Sequence, residues 1–249
     1  MKYFIGNWKM FGIPSSIKII DRINNFYSRD KKNKKKYKVM MSPPHTLLES
    51  FSKVFKNKKI SICAQNCFHK DSYGSYTGSI SPFMIKKLGV KDIIIGHSEN
   101  RADGDNDKII KEKILAATKN KFNIILCIGE NKSEKKNKLT LSVLKKQIKS
   151  VLNKKYDLKK IIIAYEPIWS IGSGKLPSKE ELSKIIISLK KFLNSKFNKK
   201  HSFKILYGGS VDSNSVNQFK KIKELDGFLI GGASKSSKKF IDIIKNFYK

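Results

Sequence analysis

Short apolar runs, rich in isoleucine, recur along the chain at fairly even intervals. Runs of this kind make strands buried on both faces. They predict strands at Tyr3–Trp8, Lys38–Met41, Ile60–Gln65, Asp92–Gly96, Asn123–Ile128, Lys160–Tyr165, Phe203–Tyr207 and Gly227–Ile230. Between them lie segments with helical spacing and helix-start signals. Ser16 to Tyr27 follows Pro14, and Ser81-Pro82 pairs an N-cap with proline at the first helical position. Ser178 and Glu181 form a capping box that opens a helix to Phe197, and Ser237 opens a last helix, Lys238 to Tyr248. Strands alternating with helices predict an α/β fold with a parallel sheet. Eight strand–helix units of about 30 residues need about 250. The chain has 249, so the expected architecture is a closed (β/α)8 barrel, a TIM barrel, in one domain spanning residues 1–249. An open doubly wound sheet would want a glycine-rich fingerprint after its first strand, and Gly6-Asn7-Trp8-Lys9 is not one.

Composition narrows the class. Hydrophobic residues make up 39% of the chain, which fits a packed globular protein. No apolar run approaches the ~20 residues of a membrane span, and the N-terminus carries no signal-peptide pattern. A cytoplasmic location is expected. Cys63, Cys67 and Cys127 do not form a disulfide framework, and with His69 they lack metal-ligand spacing. No metal or cofactor is expected. The net charge of +33 raises nucleic-acid binding as an alternative. The distribution argues against it: lysines lie on helix-like segments throughout, and the only arginines, the better readers of phosphate and base edges, are Arg22, Arg29 and Arg101. A field of this sign should still draw anionic small molecules inward.

Candidate chemistry collects where the predicted strands end. The sixth strand ends in Glu166, and Pro167 holds that glutamate out of helical geometry. A short loop follows with an apolar middle, Ile168, Trp169 and Ile171, and a Gly-Ser-Gly end. It reads equally as a mobile lid or as a plug that packs its tryptophan into the core. Asn7 and Lys9 follow the first strand, Gln65 and Asn66 the third, His97 and Glu99 the fourth, and Cys127 and Glu130 mark the fifth. The seventh and eighth strands end in bare glycine turns, Gly208-Gly209-Ser210 and Gly231-Gly232-Ala233-Ser234. Glycine lets backbone N–H groups approach an anion, and the last two turns of such barrels commonly hold phosphate. A carboxylate base, an imidazole, a lysine and a phosphate cradle suit proton abstraction beside a carbonyl on a small phosphorylated substrate.

Gly6-Asn7-Trp8-Lys9-Met10, Ala64-Gln65-Asn66, Gly96-His97-Ser98-Glu99, Cys127-Ile128-Gly129-Glu130, Ala164-Tyr165-Glu166-Pro167, Tyr207-Gly208-Gly209-Ser210-Val211 and Gly227 to Ser234 together resemble the triosephosphate isomerase family, in its order and spacing. The resemblance implies a barrel, a homodimer, no cofactor, and interconversion of dihydroxyacetone phosphate and glyceraldehyde 3-phosphate in glycolysis and gluconeogenesis. It places Glu166 as the base, His97 as the electrophile, Lys9 as the cation near substrate, Asn7 as a neighbouring donor and Glu99 as an organising carboxylate. It places Gly172, Ser173, Ser210, Gly231 and Gly232 around the phosphate. It also implies that the long loop from Gln65 to Gly78 reaches into a partner subunit through Thr77, and the loop's aromatics Phe68, Tyr73 and Tyr76 suggest burial. Another phosphosugar isomerase or lyase on the same fold is the remaining alternative.

The chain departs from the family pattern at several positions. Phe11 stands where asparagine is usual, Asn100 where arginine is usual, and Lys235 where leucine is common. The lid carries Ser170 and Ser173 in place of alanine and threonine. Phe11 and Asn100 bear on the subunit interface; Ser170 and Ser173 bear on lid stiffness.

Overall fold

The computed structural model describes residues 1–197 and 202–249. Eight parallel strands run in sequence order and close on themselves: β1 (Lys2–Asn7), β2 (Tyr37–Ser42), β3 (Ser61–Ala64), β4 (Asp92–Ile95), β5 (Asn123–Ile128), β6 (Ile161–Tyr165), β7 (Lys204–Tyr207) and β8 (Gly227–Ile230). Closure is explicit in the register, since β1 pairs with β2 along its length and with β8 through Tyr3 to Gly6. The predicted closed barrel is the observed one.

Two cores explain why these strands read as unbroken apolar runs. Alternate residues fill the barrel itself, among them Ile5, Met40, Ile94, Ile125, Ile162, Leu206 and Leu229. Their neighbours point outward, as Phe4, Val39, Ile93, Ile124, Ile163 and Phe228 do, into the layer beneath the helices. A strand whose two faces are both covered has no solvated side to mark with polar residues.

Strand edges shift by one or two residues from expectation. Trp8 leaves β1: its amide donates to the Ser42 carbonyl and its buried indole Nε1 donates to the Ser234 carbonyl at 2.9 Å. The ring thereby locks the end of β1 to the turn after β8. Lys160 belongs to a short 3-10 turn, Leu158–Lys160, whose first amides are drawn off by the Asp157 side chain. Ser178 caps the helix Lys179–Phe197 by accepting from the Glu181 amide at 3.1 Å. The last helix, Ser237–Tyr248, is capped by Ser236 and not by Ser237, because Ser236 holds the extended conformation that lets its hydroxyl accept from the Lys239 amide. Among the described residues no helix is long and apolar enough to cross a membrane, and no group of His, Cys, Asp and Glu could hold a metal.

Candidate active site

At the carboxyl ends of the strands lies a cavity of about 480 Å3. Asn7, Lys9, His97 and Glu166 line one side; Gly172, Ser210, Gly231 and Gly232 line the other. Residues from five strand ends and the lid therefore meet, although the sequence separates them by up to 225 positions, from Asn7 to Gly232.

Glu166 ends β6 and is buried, with Oε2 lacking any hydrogen-bond partner. Burial raises its pKa above the ordinary glutamate value; His97, the Cys127 thiol, Lys9 and the Ser98 amide work against that rise. Two glycines make room for this residue, one for its side chain and one for its backbone. A Cβ on Gly208 would sit 2.6 Å from Glu166 Cγ, and one on Gly129 would sit 1.9 Å from the Glu166 carbonyl oxygen. Gly208 thus makes room for the Glu166 side chain at the edge of the cavity. Gly232 does face open space, and a Cβ on Gly231 would meet only the Lys9 stem at 3.5 Å.

His97 follows β4 and caps the helix Ser98–Ala102, its Nδ1 accepting the Glu99 amide at 3.2 Å. With Nδ1 accepting this amide, Nε2 is the ring nitrogen left to donate. That Nε2 faces Glu166 Oε1 at 3.3 Å, so a donor and a base share one mouth. Lys9 holds a left-handed backbone, φ +56°, a strain of order 1–3 kcal/mol for a residue with a Cβ. It is held there by the Asn7 side chain, which accepts the Lys9 amide, and by Gln65, which donates to the Lys9 carbonyl at 2.9 Å. The Lys9 ammonium meets Glu99 Oε1 at 2.6 Å. Glu99 does not line the main cavity; it borders a smaller neighbouring one with Gln65, Asn66 and His45. Cys127 lies beside Glu166 and is fully buried, which pushes its thiol pKa far up, so it stays neutral.

The loop after Pro167 is tethered at its base. Glu130 is buried and accepts from Trp169 Nε1 at 2.9 Å, Tyr165 Oη at 3.1 Å and Thr140 Oγ1 at 3.3 Å. Trp169 is therefore held at the rim, while Gly172 to Lys175 lie exposed. Ser170 is buried at the hinge: its Oγ donates to the Lys175 carbonyl at 2.5 Å and lies 3.0 Å from Tyr207 Oη. Ser210 Oγ donates to the Ser170 carbonyl at 2.7 Å. Ser173 turns its hydroxyl onto the Trp169 and Ser170 carbonyls and does not line the cavity. Thr77 is exposed on the long loop.

Three residues of this end were not legible beforehand. Glu130 stood on a strand end, yet nothing in its sequence context showed that it gathers the lid. Lys235 and Lys239 line the cavity beside Gly231 and Gly232; Lys235 stood out only as a departure from the family pattern, and lysine is too common in this chain to single out Lys239. Lys235 Nζ sits 5.3 Å over the Phe11 ring, so two departures from the family pattern pack on each other.

A triosephosphate isomerase family model matches residues 2–247. The triosephosphate isomerases of Zygosaccharomyces bailii and Saccharomyces cerevisiae are 39% and 38% identical to the chain, each over 98% of both proteins. That of Borrelia garinii is 37% identical, over 98% of both. The crystal structure of triosephosphate isomerase from Bartonella henselae superimposes with a TM-score of 0.89 at 31% identity, covering 100% of this chain and 99% of that one. The chain belongs to the triosephosphate isomerase family, enzymes that interconvert dihydroxyacetone phosphate and glyceraldehyde 3-phosphate.

Proposed function

We propose that Glu166 is the base of this isomerisation and His97 its electrophile. The Glu166 carboxylate takes a proton from the hydroxymethyl carbon of dihydroxyacetone phosphate. The carbonyl oxygen becomes an enediolate oxygen, stabilised by the His97 Nε2–H and the Lys9 ammonium. The protonated Glu166 then returns the proton to the adjacent carbon, and the oxygens exchange their proton through the imidazole, giving the aldehyde. Asn7 supports Lys9, and Glu99 holds its ammonium until substrate competes for it. The backbone amides of Gly172, Gly231 and Gly232 take the phosphate, Ser210 serves as a strut to the lid, and Lys235 and Lys239 supply charge. A lid that closes over the enediolate excludes water and suppresses loss of phosphate.

The observation that carries this reading is the unpartnered Oε2 of a buried Glu166 whose other oxygen lies 3.3 Å from His97 Nε2. Purified Glu166→Gln protein, given dihydroxyacetone phosphate, should form almost no aldehyde while still binding a phosphorylated analogue. Retained turnover would reject the assignment. The reaction implies a cytoplasmic place in glycolysis and gluconeogenesis. A homodimer is part of the proposal, supported by Met10 at 98% exposed and Tyr73 at 76% on the two loops expected to meet a partner. Sedimentation equilibrium should give twice the chain mass; a monomer at micromolar concentration would refute it.

A further inference from the structure

The opposite end of the barrel has its own cavity, of about 460 Å3, at the amino ends of the strands. Six lysines border it: Lys38, Lys59, Lys91, Lys159, Lys160 and Lys204. They come from places far apart in sequence. Lys38 and Lys204 sit at the starts of β2 and β7, Lys59 and Lys91 precede β3 and β4, and Lys159 and Lys160 form the turn before β6. Closing the barrel turns these scattered positions into a ring.

Three observations separate this ring from the lysines that coat the rest of the surface. First, it surrounds a concave floor with hydrogen-bonding groups, the Ser61 hydroxyl and Asn123. Second, its charges are uncompensated. Among the described residues none of the six forms an ion pair within 4.0 Å, although eight other Lys or Arg side chains do. Lys2, beside the ring, turns its ammonium to the Leu225 carbonyl in place of joining the mouth. Third, the one carboxylate on the floor, Asp92, is buried and turned to Asn123 Nδ2 at 2.9 Å, so it offsets a single charge. Burial and repulsion from Lys160 and Lys91 also depress the pKa of neighbouring Lys86, the mark of crowded positive charge.

We propose that this mouth binds a compact polyphosphate chain, free or as the triphosphate of a nucleotide. A single phosphate would leave most of the ring unneutralised, and flexible ammonium groups converging on a small cavity suit a short linear polyanion. The cavity size is that of a small-molecule site. Lys204 lies over the buried Tyr3 ring at 4.8 Å, which holds its ammonium at the mouth.

Isothermal titration of the full-length protein with inorganic triphosphate, at about 0.1 M salt, should show one equivalent bound. Replacing Lys38, Lys91, Lys160 and Lys204 together by glutamine should weaken it about tenfold or more. Replacing Lys145, Lys146 and Lys149, a cluster on the helix Thr140–Val151, should change it less than about twofold. Isomerase turnover should be unchanged in both variants, which also shows that both are folded. Equal weakening in the two variants would reduce the effect to the general field and overturn the proposal. Displacement of triphosphate by a phosphorylated substrate analogue would place it in the catalytic cavity and overturn it too, as would tighter binding of an RNA duplex than of triphosphate. Adenosine triphosphate binding more tightly than inorganic triphosphate would assign the nucleotide; equal binding would assign the phosphate chain alone. Either result sustains the site.

Discussion

The two mouths of this barrel enclose cavities of similar size, about 480 and 460 Å3, and use charge in opposite ways. At the carboxyl end charged and polar groups are set against one another: Lys9 on Glu99 at 2.6 Å, and the His97 Nε2–H on Glu166 at 3.3 Å. At the amino end six lysines stand around one buried aspartate with no ion pair among them. The difference is one of task. Moving a proton needs a base and donors fixed at short range, with each group restrained by another until substrate arrives. Holding an anion needs only a surplus of one sign around a concave surface. Order at one end and surplus at the other are separable by mutation.

The largest effect should come from the buried base. Glu166→Gln should lower kcat by about 10²–10⁴-fold, the usual worth of a positioned general base. The same change should raise stability at neutral pH. Burial raises the folded-state pKa of Glu166 above its unfolded value, so the protonated form is the one the fold prefers. The corresponding stability is complete below the unfolded pKa and is lost as pH rises through the folded one. The Gln variant should therefore melt higher than the wild type near about pH 7 and match it near about pH 4. A variant that melts lower at neutral pH would show that His97, Lys9 and the other neighbours of Glu166 outweigh the cost of burying its charge.

A smaller effect tests whether the catalytic cavity also uses surplus charge. Lys235 and Lys239 line it, and among the described residues neither forms an ion pair within 4.0 Å. Replacing both by glutamine should raise KM about 3–10-fold and leave kcat at saturation nearly unchanged, with a shallower dependence of kcat/KM on salt. A fall in kcat with KM unchanged would make these lysines part of the reacting constellation.

What could be read from the chain and what could not divides along physical lines. The barrel was legible because strands covered on both faces leave continuous apolar runs, and because Ile161 to Tyr165 is cut off by Pro167 directly after Glu166. His97 and Lys9 were legible because each follows such a run at once. Glu130 was visible as a strand-end residue, but its grip on Trp169, Tyr165 and Thr140 depends on loops from three places meeting. The turn from Gly208 to Ser210 read as a phosphate cradle; its further contacts, the space its glycine clears for Glu166 and the bond from Ser210 to the Ser170 carbonyl, depend on packing that the sequence does not show. The ring at the amino end was invisible for a different reason. Its members sit at strand starts, each one lysine among 53 Lys and Arg residues, and only closure of the barrel brings them together.

That ring supplies the finest test of the comparison, because its effect should show without any ligand. Like charges gathered on a concave surface repel, and the folded state alone holds them close. Converting Lys38, Lys91, Lys160 and Lys204 to glutamine should therefore stabilise the protein by about 0.5–1 kcal/mol at low salt, in line with the small energies of exposed charge pairs. The gain should vanish at about 0.5 M salt, where screening already removes the repulsion. Lys9→Gln at the other end should behave in the opposite sense, since it deprives Glu99 of its partner and relieves nothing. Urea midpoints of the two variants at low and high salt would separate the cases. If the quadruple variant were less stable at low salt, the ring would be neutralised from within the protein, with Asp92 and its surroundings supplying the counter-charge, and the amino-end mouth would have no surplus left to offer an anion.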